Sequence, residues 1–423
     1  MQFAAKLKGW AQVAATVALV SLVAACGGGG GSSDSSSSNS SSSSNSGLPA
    51  SPTAQPVSAN ASNTAAITVG TGVANVINIP TVTVTVCVPG TTTCQSIPNV
   101  QVDTGSYGLR IVSSVLSVGL PLAAIPSGGS GTLVECTNFA DGYSWGSVRT
   151  ATVQIAGETA TSIPVQVLGD VNFSVPSGCA SGAEENTASA IGANGILGIG
   201  VAPYDCGTAC ASSTTFQQYS NYYACSGSSC AATQVPTGDQ VANPVAHFAT
   251  DKNGVIVEMS PVSNNGSGSA TGTLVFGIGT QSNNTLAASQ TFTTDAYGDL
   301  VNSTFNGSKL TAFFDSGSNA YFFADSSLAP CSSTYSGFYC PSSGQTRSVN
   351  IVGLNGASTT ANLGILSAAT LFSNGNNYAF NDLAGQVGVG NSFDIGLPFF
   401  YGRYMYFGID QTANGGQTPY VGY

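Results

Sequence analysis

The chain carries little charge. Charged residues fill 6% of its 423 positions, against about 25% in an ordinary soluble domain. Only eight are basic, and two of these, Lys6 and Lys8, fall within the first ten residues. Nineteen acidic residues face the six that remain. Nucleic-acid binding needs a basic surface, so that class is excluded. Histidine is nearly missing too, because His247 is the only one. With no paired C-x-x-C motif beside it, the usual zinc patterns are absent, and no cofactor or metal is expected. Long amphipathic helical patterns are missing, as is any apolar run after residue 25 long enough to span a bilayer. The shortage of cations has a pH corollary. When carboxylates protonate, few positive charges remain to repel one another, which points to a fold that tolerates acid. An exported β protein simply poor in lysine has the same composition.

The N-terminal part does not read as fold. Lys6 and Lys8 precede an apolar run over residues 10–25, which ends in Val23-Ala24-Ala25 before Cys26. A basic start, an apolar core and small residues before a cut site read as an export signal over residues 1–25. The run is shorter than the roughly 20 residues of a spanning helix. A cysteine at this point resembles a bacterial lipobox. That resemblance implies lipidation of Cys26, a membrane anchor in the cell envelope and, with Gly27 rather than Asp next, the outer membrane. Gly27 to Gly31 and the Ser/Asn tract after them have nothing to bury and read as a flexible tether over residues 26–64. The remaining length predicts two lobes, at 65–240 and 241–423.

Of eleven cysteines, ten are left once Cys26 is set aside, an even number that suits disulfides. Cys87 is close to Cys94, Cys206 to Cys210, Cys225 to Cys230 and Cys331 to Cys340. Short closed loops are the natural reading. The pairing among Cys206, Cys210, Cys225 and Cys230 stays open, and elimination leaves Cys136 with Cys179.

The texture is β throughout. Thr and Val alternate from Thr81 to Val86, and similar stretches run from Thr150 to Ile155 and from Gly254 to Met259. Period two fits half-buried strands, punctuated by Gly, Asn, Ser and Pro. Short helices are expected only at residues 113–118 and 215–222.

One internal similarity carries chemistry. Val102-Asp103-Thr104-Gly105-Ser106 recurs as Phe314-Asp315-Ser316-Gly317-Ser318. Each copy follows apolar residues, precedes others (Leu109-Arg110-Ile111-Val112; Tyr321-Phe322-Phe323), and is echoed later by an apolar-Gly segment, Ile196-Leu197-Gly198 or Ile395-Gly396-Leu397. A single Asp-Thr/Ser-Gly turn means little, because these are ordinary turn residues. Two copies related by pseudo-twofold symmetry would set two carboxylates face to face, where they share a proton. One then serves as base toward a water and the other as acid toward a carbonyl. In this reading Thr104 and Ser316 brace the loops, Ser106 and Ser318 orient the carboxylates, and Gly105 and Gly317 allow close backbone approach.

These motifs resemble those of pepsin-like aspartic peptidases. The likeness takes in Tyr143-Ser144-Trp145-Gly146-Ser147 at the place of the family's flap, Asn194 to Gly198, Thr273 to Gly277, and Ile395 to Asp410. It extends to a family of bacterial lipoproteins sharing the Asp-Thr-Gly-Ser and Trp-Gly pattern. It implies an all-β, bilobal pepsin-like fold with two β-barrel lobes around a cleft, and the catalytic pair Asp103 and Asp315. Tyr143 and Trp145 would be flap residues over a peptide or protein substrate, and the chain a monomer. Strand packing is the plainer reading of the two rings. Four positions depart from the family: Arg110 where a Trp usually stands, which would bring a cation near the cleft; Asp394 at a normally apolar place; and Ser144 and Trp145 where small residues are usual. The alternative function is a catalytically silent pepsin-like lipoprotein that binds extended peptides or surface partners. Gly142 to Gly146 also fits a nucleophile elbow with Ser144 as nucleophile and His247 as base. A polar stretch precedes it, however, and His247 sits in what reads as a strand, Pro244 to Ala249.

Overall fold

The computed structural model describes residues 47–423 other than 127, 129, 130, 141, 220 and 387–389. The expected signal at 1–25, Cys26 and the Ser/Asn tract lie outside the described residues. The Thr/Val alternation becomes strand Thr81–Cys87, in which Val82, Val84 and Val86 are buried and Thr83 is exposed. It pairs antiparallel with Cys94–Asp103, and Cys87 stands opposite Cys94, its disulfide partner. The other pairs are Cys136–Cys179, Cys206–Cys210, Cys225–Cys230 and Cys331–Cys340, which settles the pairing that spacing left open.

The strands form a sixteen-stranded and a seven-stranded sheet. One arrangement occurs in each half. Strand Cys94–Asp103 runs parallel to Gly195–Ile199, which pairs antiparallel with Tyr107–Val112. Likewise Ser308–Asp315 runs parallel to Ser392–Gly396, which pairs antiparallel with Tyr321–Phe322. In both halves an Asp ends a strand opposite the glycine of an apolar-Gly segment: Asp103 opposite Gly198, and Asp315 opposite Gly396. The molecule is thus an all-β protein with two topologically equivalent halves, as in the bilobal pepsin-like fold. The main core joins them, with Val100, Val102, Leu197 and Ile199 in the same buried cluster as Phe314, Ile395, Leu397 and Phe399.

Three local expectations change. Folded material begins well before Ala65. Ala54 N–H donates to Gly402 O at 3.0 Å, Val57 N–H to Glu258 Oε2 at 2.7 Å, and the Tyr404 hydroxyl to Gln55 O. Residues 47–57 therefore lie along the second half, and strand Thr64–Val69 pairs with Ala270–Phe276. The segment at His247 is a 3-10 turn, Pro244–His247, rather than a strand. Asn243 caps it by accepting from Val245 N–H, and Pro244 opens it with a backbone angle already suited to a helical turn. The other short helices shrink to Ser113–Val115 and Phe216–Tyr219.

Candidate active site

Each Asp turn folds around its own carboxylate. Gly105 N–H donates to Asp103 Oδ1 at 2.8 Å, and Gly317 N–H to Asp315 Oδ1 at 2.7 Å. The Ser106 hydroxyl donates to Asp103 Oδ2, and Ser318 Oγ lies 3.0 Å from Asp315 Oδ2.

The turns are clasped reciprocally. Thr104 Oγ1 donates to Phe314 O at 3.0 Å and accepts Ser316 N–H at 2.9 Å. Ser316 Oγ donates to Val102 O at 2.7 Å and accepts Thr104 N–H at 3.1 Å. The glycines are dictated by this approach. A β-carbon on Gly105 would sit 2.5 Å from the Asp315 carboxyl carbon, and one on Gly317 would sit 2.7 Å from Asp103 Oδ1. Each turn thus fills the side-chain space of the other, and the two carboxyl groups face each other between them. A side chain that sequence reading did not single out, Gln101, adds a further bond, donating to Gly317 O at 2.9 Å.

Electrostatics follow from burial. Asp103 and Asp315 are 4% and 1% exposed. Burial, then the charges of Asp103 and Asp394 and a hydrogen bond with Asp103, push Asp315 well above the usual carboxyl range, against the pull of Gly317 N–H. A pair in which one member keeps its proton is the consequence. Such a pair can hold a water, take a proton from it and give one to a carbonyl.

Tyr143 and Trp145 are on strand Gly142–Ile155, opposite Asn138 and Cys136. Their rings pack with Val134, the Cys136–Cys179 disulfide and Cys225, and Trp145 meets Tyr223 edge-on at 5.4 Å. Strand packing accounts for their burial.

Arg110 is not a cation presented to a cleft. It is 1% exposed, 2.8 Å from Glu135 and 3.2 Å from Asp205, with further bonds to Tyr107 O and Thr137. Tyr222 completes the group by donating to Asp205 at 2.7 Å. Burial, then the Glu135 charge, raises the Asp205 carboxyl, as expected where two acids meet one cation.

The nucleophile-elbow pattern is not assembled. Ser144 Oγ is buried without a hydrogen-bond partner among the described residues, so no base holds it. His247 packs edge-on against Tyr204 at 5.5 Å.

The fold and the paired turns define the class: an all-β, bilobal pepsin-like protein with two apposed carboxyl groups. The chain belongs to the family described as Protein of unknown function (DUF3443), matched over residues 59–423. Among solved structures it is similar to the aspartic proteinase from Irpex lacteus at 16% identity and a TM-score of 0.45, over 85% of this chain and 96% of that one. No curated protein matches it.

Proposed function

We propose that the chain is an aspartic endopeptidase. Asp103 and Asp315 share one proton and hold a water between them. The ionised carboxyl takes a proton from the water as it attacks the peptide carbonyl, and the protonated one gives its proton to the carbonyl oxygen. The observation that carries this reading is the mutual exclusion of side-chain space at Gly105 and Gly317 by the opposing carboxyl groups. Such an approach is costly between two acids unless they share a proton, and a pure peptide-binding cleft has no use for it.

The site is proposed to work at the bacterial cell envelope on peptide or protein substrates. A lipid on Cys26 would hold the protein there, at the outer membrane, and residues 47–57 would begin the docked part of the chain.

The test uses the oxidised protein and a denatured protein substrate across about pH 3–7. Acid-pH cleavage that pepstatin blocks, and that Asp103→Asn and Asp315→Asn each reduce by at least about a thousandfold, is the expected result. Absence of cleavage across that range would leave the silent peptide binder. Cys26→Ser is expected to move the protein from the membrane to the soluble fraction, and retention in the membrane would sink the anchor.

A further inference from the structure

Ser318 serves two carboxyl groups at once. Its Oγ is 3.0 Å from Asp315 Oδ2 and 2.6 Å from Asp394 Oδ2. A serine hydroxyl carries one hydrogen and can give it to only one of them. The other contact is a hydrogen bond only if that carboxyl brings its own proton.

The surroundings decide which carboxyl this is. Asp394 is 0% exposed, and its Oδ1 has no hydrogen-bond partner among the described residues. In the strand pairing it stands opposite Phe313 and Phe322. An ionised carboxylate there would be desolvated with a single donor to stabilise it. Asp315, in contrast, also accepts Gly317 N–H. We propose that Asp394 is a positioning residue of the carboxyl pair: it stays a neutral acid, donates its proton to Ser318 Oγ, and so commits the Ser318 hydroxyl proton to Asp315 Oδ2.

The outer oxygen of Asp315 is then occupied as an acceptor. The proton shared with Asp103 is left to Asp315 Oδ1, which together with Asp103 Oδ1 lies against the Gly317 turn, 3.0 Å and 2.7 Å from where a Gly317 β-carbon would sit. A chain of hydrogen bonds also polarises its middle member, so Ser318 becomes a stronger donor.

The groups around Asp394 favour the neutral form. Burial first, then the charge of Asp103, raises its pKa well above the usual range, against the hydrogen bond from Ser318. Strand Ser308–Asp315 brings Asp315 and, at its exposed start, Lys309. Strand Tyr321–Phe322 brings Tyr321, and the turn Leu397–Phe399 brings no titratable side chain.

The consequence for activity rests on the peptidase reading, whereas the proton on Asp394 does not, and the test separates the two. Asp394→Asn keeps a donor toward Ser318 but cannot carry a carboxylic proton. Asp394→Leu removes the donor. In the infrared difference between wild type and Asp394→Asn at about pH 7, a protonated buried carboxyl is expected in the wild type only. In kcat/KM against pH, Asp394→Leu is expected to move the acid limb up by about one pH unit, which is about a tenfold loss on that side. Asp394→Asn is expected to hold the limb near its wild-type position. No difference band, or the same limb in both variants, overturns the proposal. If the wild type cleaves nothing, the peptidase reading fails, and the infrared difference still decides the proton. If Asp394→Leu does not fold, the asparagine variant alone decides it.

Discussion

Gly105 and Asp315 compete for one volume: a β-carbon on the glycine would stand 2.5 Å from the carboxyl carbon of the aspartate. Gly105→Ala therefore has to push Asp315 or its own turn aside. A shift of about 1 Å in a reacting group costs on the order of a hundredfold in rate. The expectation is a loss of at least that size in kcat/KM, with a folded protein by circular dichroism. An active Gly105→Ala enzyme would show that the carboxyl groups are not held face to face.

The reciprocal clasp predicts a coupled loss. Thr104→Val removes the donor to Phe314 O and leaves Ser316 N–H buried without its acceptor. An unsatisfied buried group of this kind costs about 1–3 kcal/mol. Ser316→Ala should cost a similar amount through Val102 O and Thr104 N–H. Because the hydroxyls brace the same pair of turns, the double variant should lose less than the sum of the two. Denaturant unfolding of the four proteins checks this, and simple additivity would contradict it.

Stability should rise in mild acid. Asp382 is buried, with no partner for Oδ2 among the described residues, and burial pushes it up from 3.8 to about 7. The native state keeps a proton that the unfolded chain releases above about pH 4. Stability from this group is therefore present at low pH and lost as pH rises from about 4 to 7, by up to about 4 kcal/mol. Asp315 and Asp394 shift in the same direction. Asp325 opposes them: burial raises it, but bonds from Arg347 and Ser327 hold it below its usual value, so its contribution is lost only in stronger acid. Calorimetry should give a higher melting temperature near pH 4.5 than near pH 8, and a midpoint that falls over the same interval would refute it.

Arg110 should matter to folding and not to substrate choice. Arg110→Met alone leaves Glu135 and Asp205 buried without their cation, a change that costs about 3–5 kcal/mol. Adding Glu135→Leu and Asp205→Leu should restore much of the loss, since apolar replacements of a whole buried ion group are often tolerated. Thermal unfolding of the single and triple variants tests this. A triple variant no more stable than the single would show that the network has a further role.

The parts of this protein that were legible in its sequence are those whose meaning is local. Strand periodicity placed Thr81–Cys87 and Gly254–Met259, and the repeated turns marked Asp103 and Asp315. Asp394 was visible only as an acid at an apolar place. Its bond to Ser318 spans 76 residues and depends on the pairing of Asp394 with Phe322. Gln101 gave no signal, because its partner is a backbone oxygen 216 residues away. At His247 the apolar alternation suggested a strand, while the Asn243-Pro244 cap was the better cue. Residues 47–57 resembled a tether because they dock largely through backbone groups, which every sequence possesses.

That docked segment bears on the order in which the molecule can be finished. The bond between Gln55 and Tyr404 joins residues 349 apart, and Ala54 waits for Gly402. A chain made from its N-terminus exposes residues 47–57 and strand Thr64–Val69 long before their partners at 258–276 and 402–404 exist. Contacts of such separation form late. The docking of residues 54 and 55 therefore waits for residues 402–404. A truncation near residue 400 would strand the opening segment along with the end.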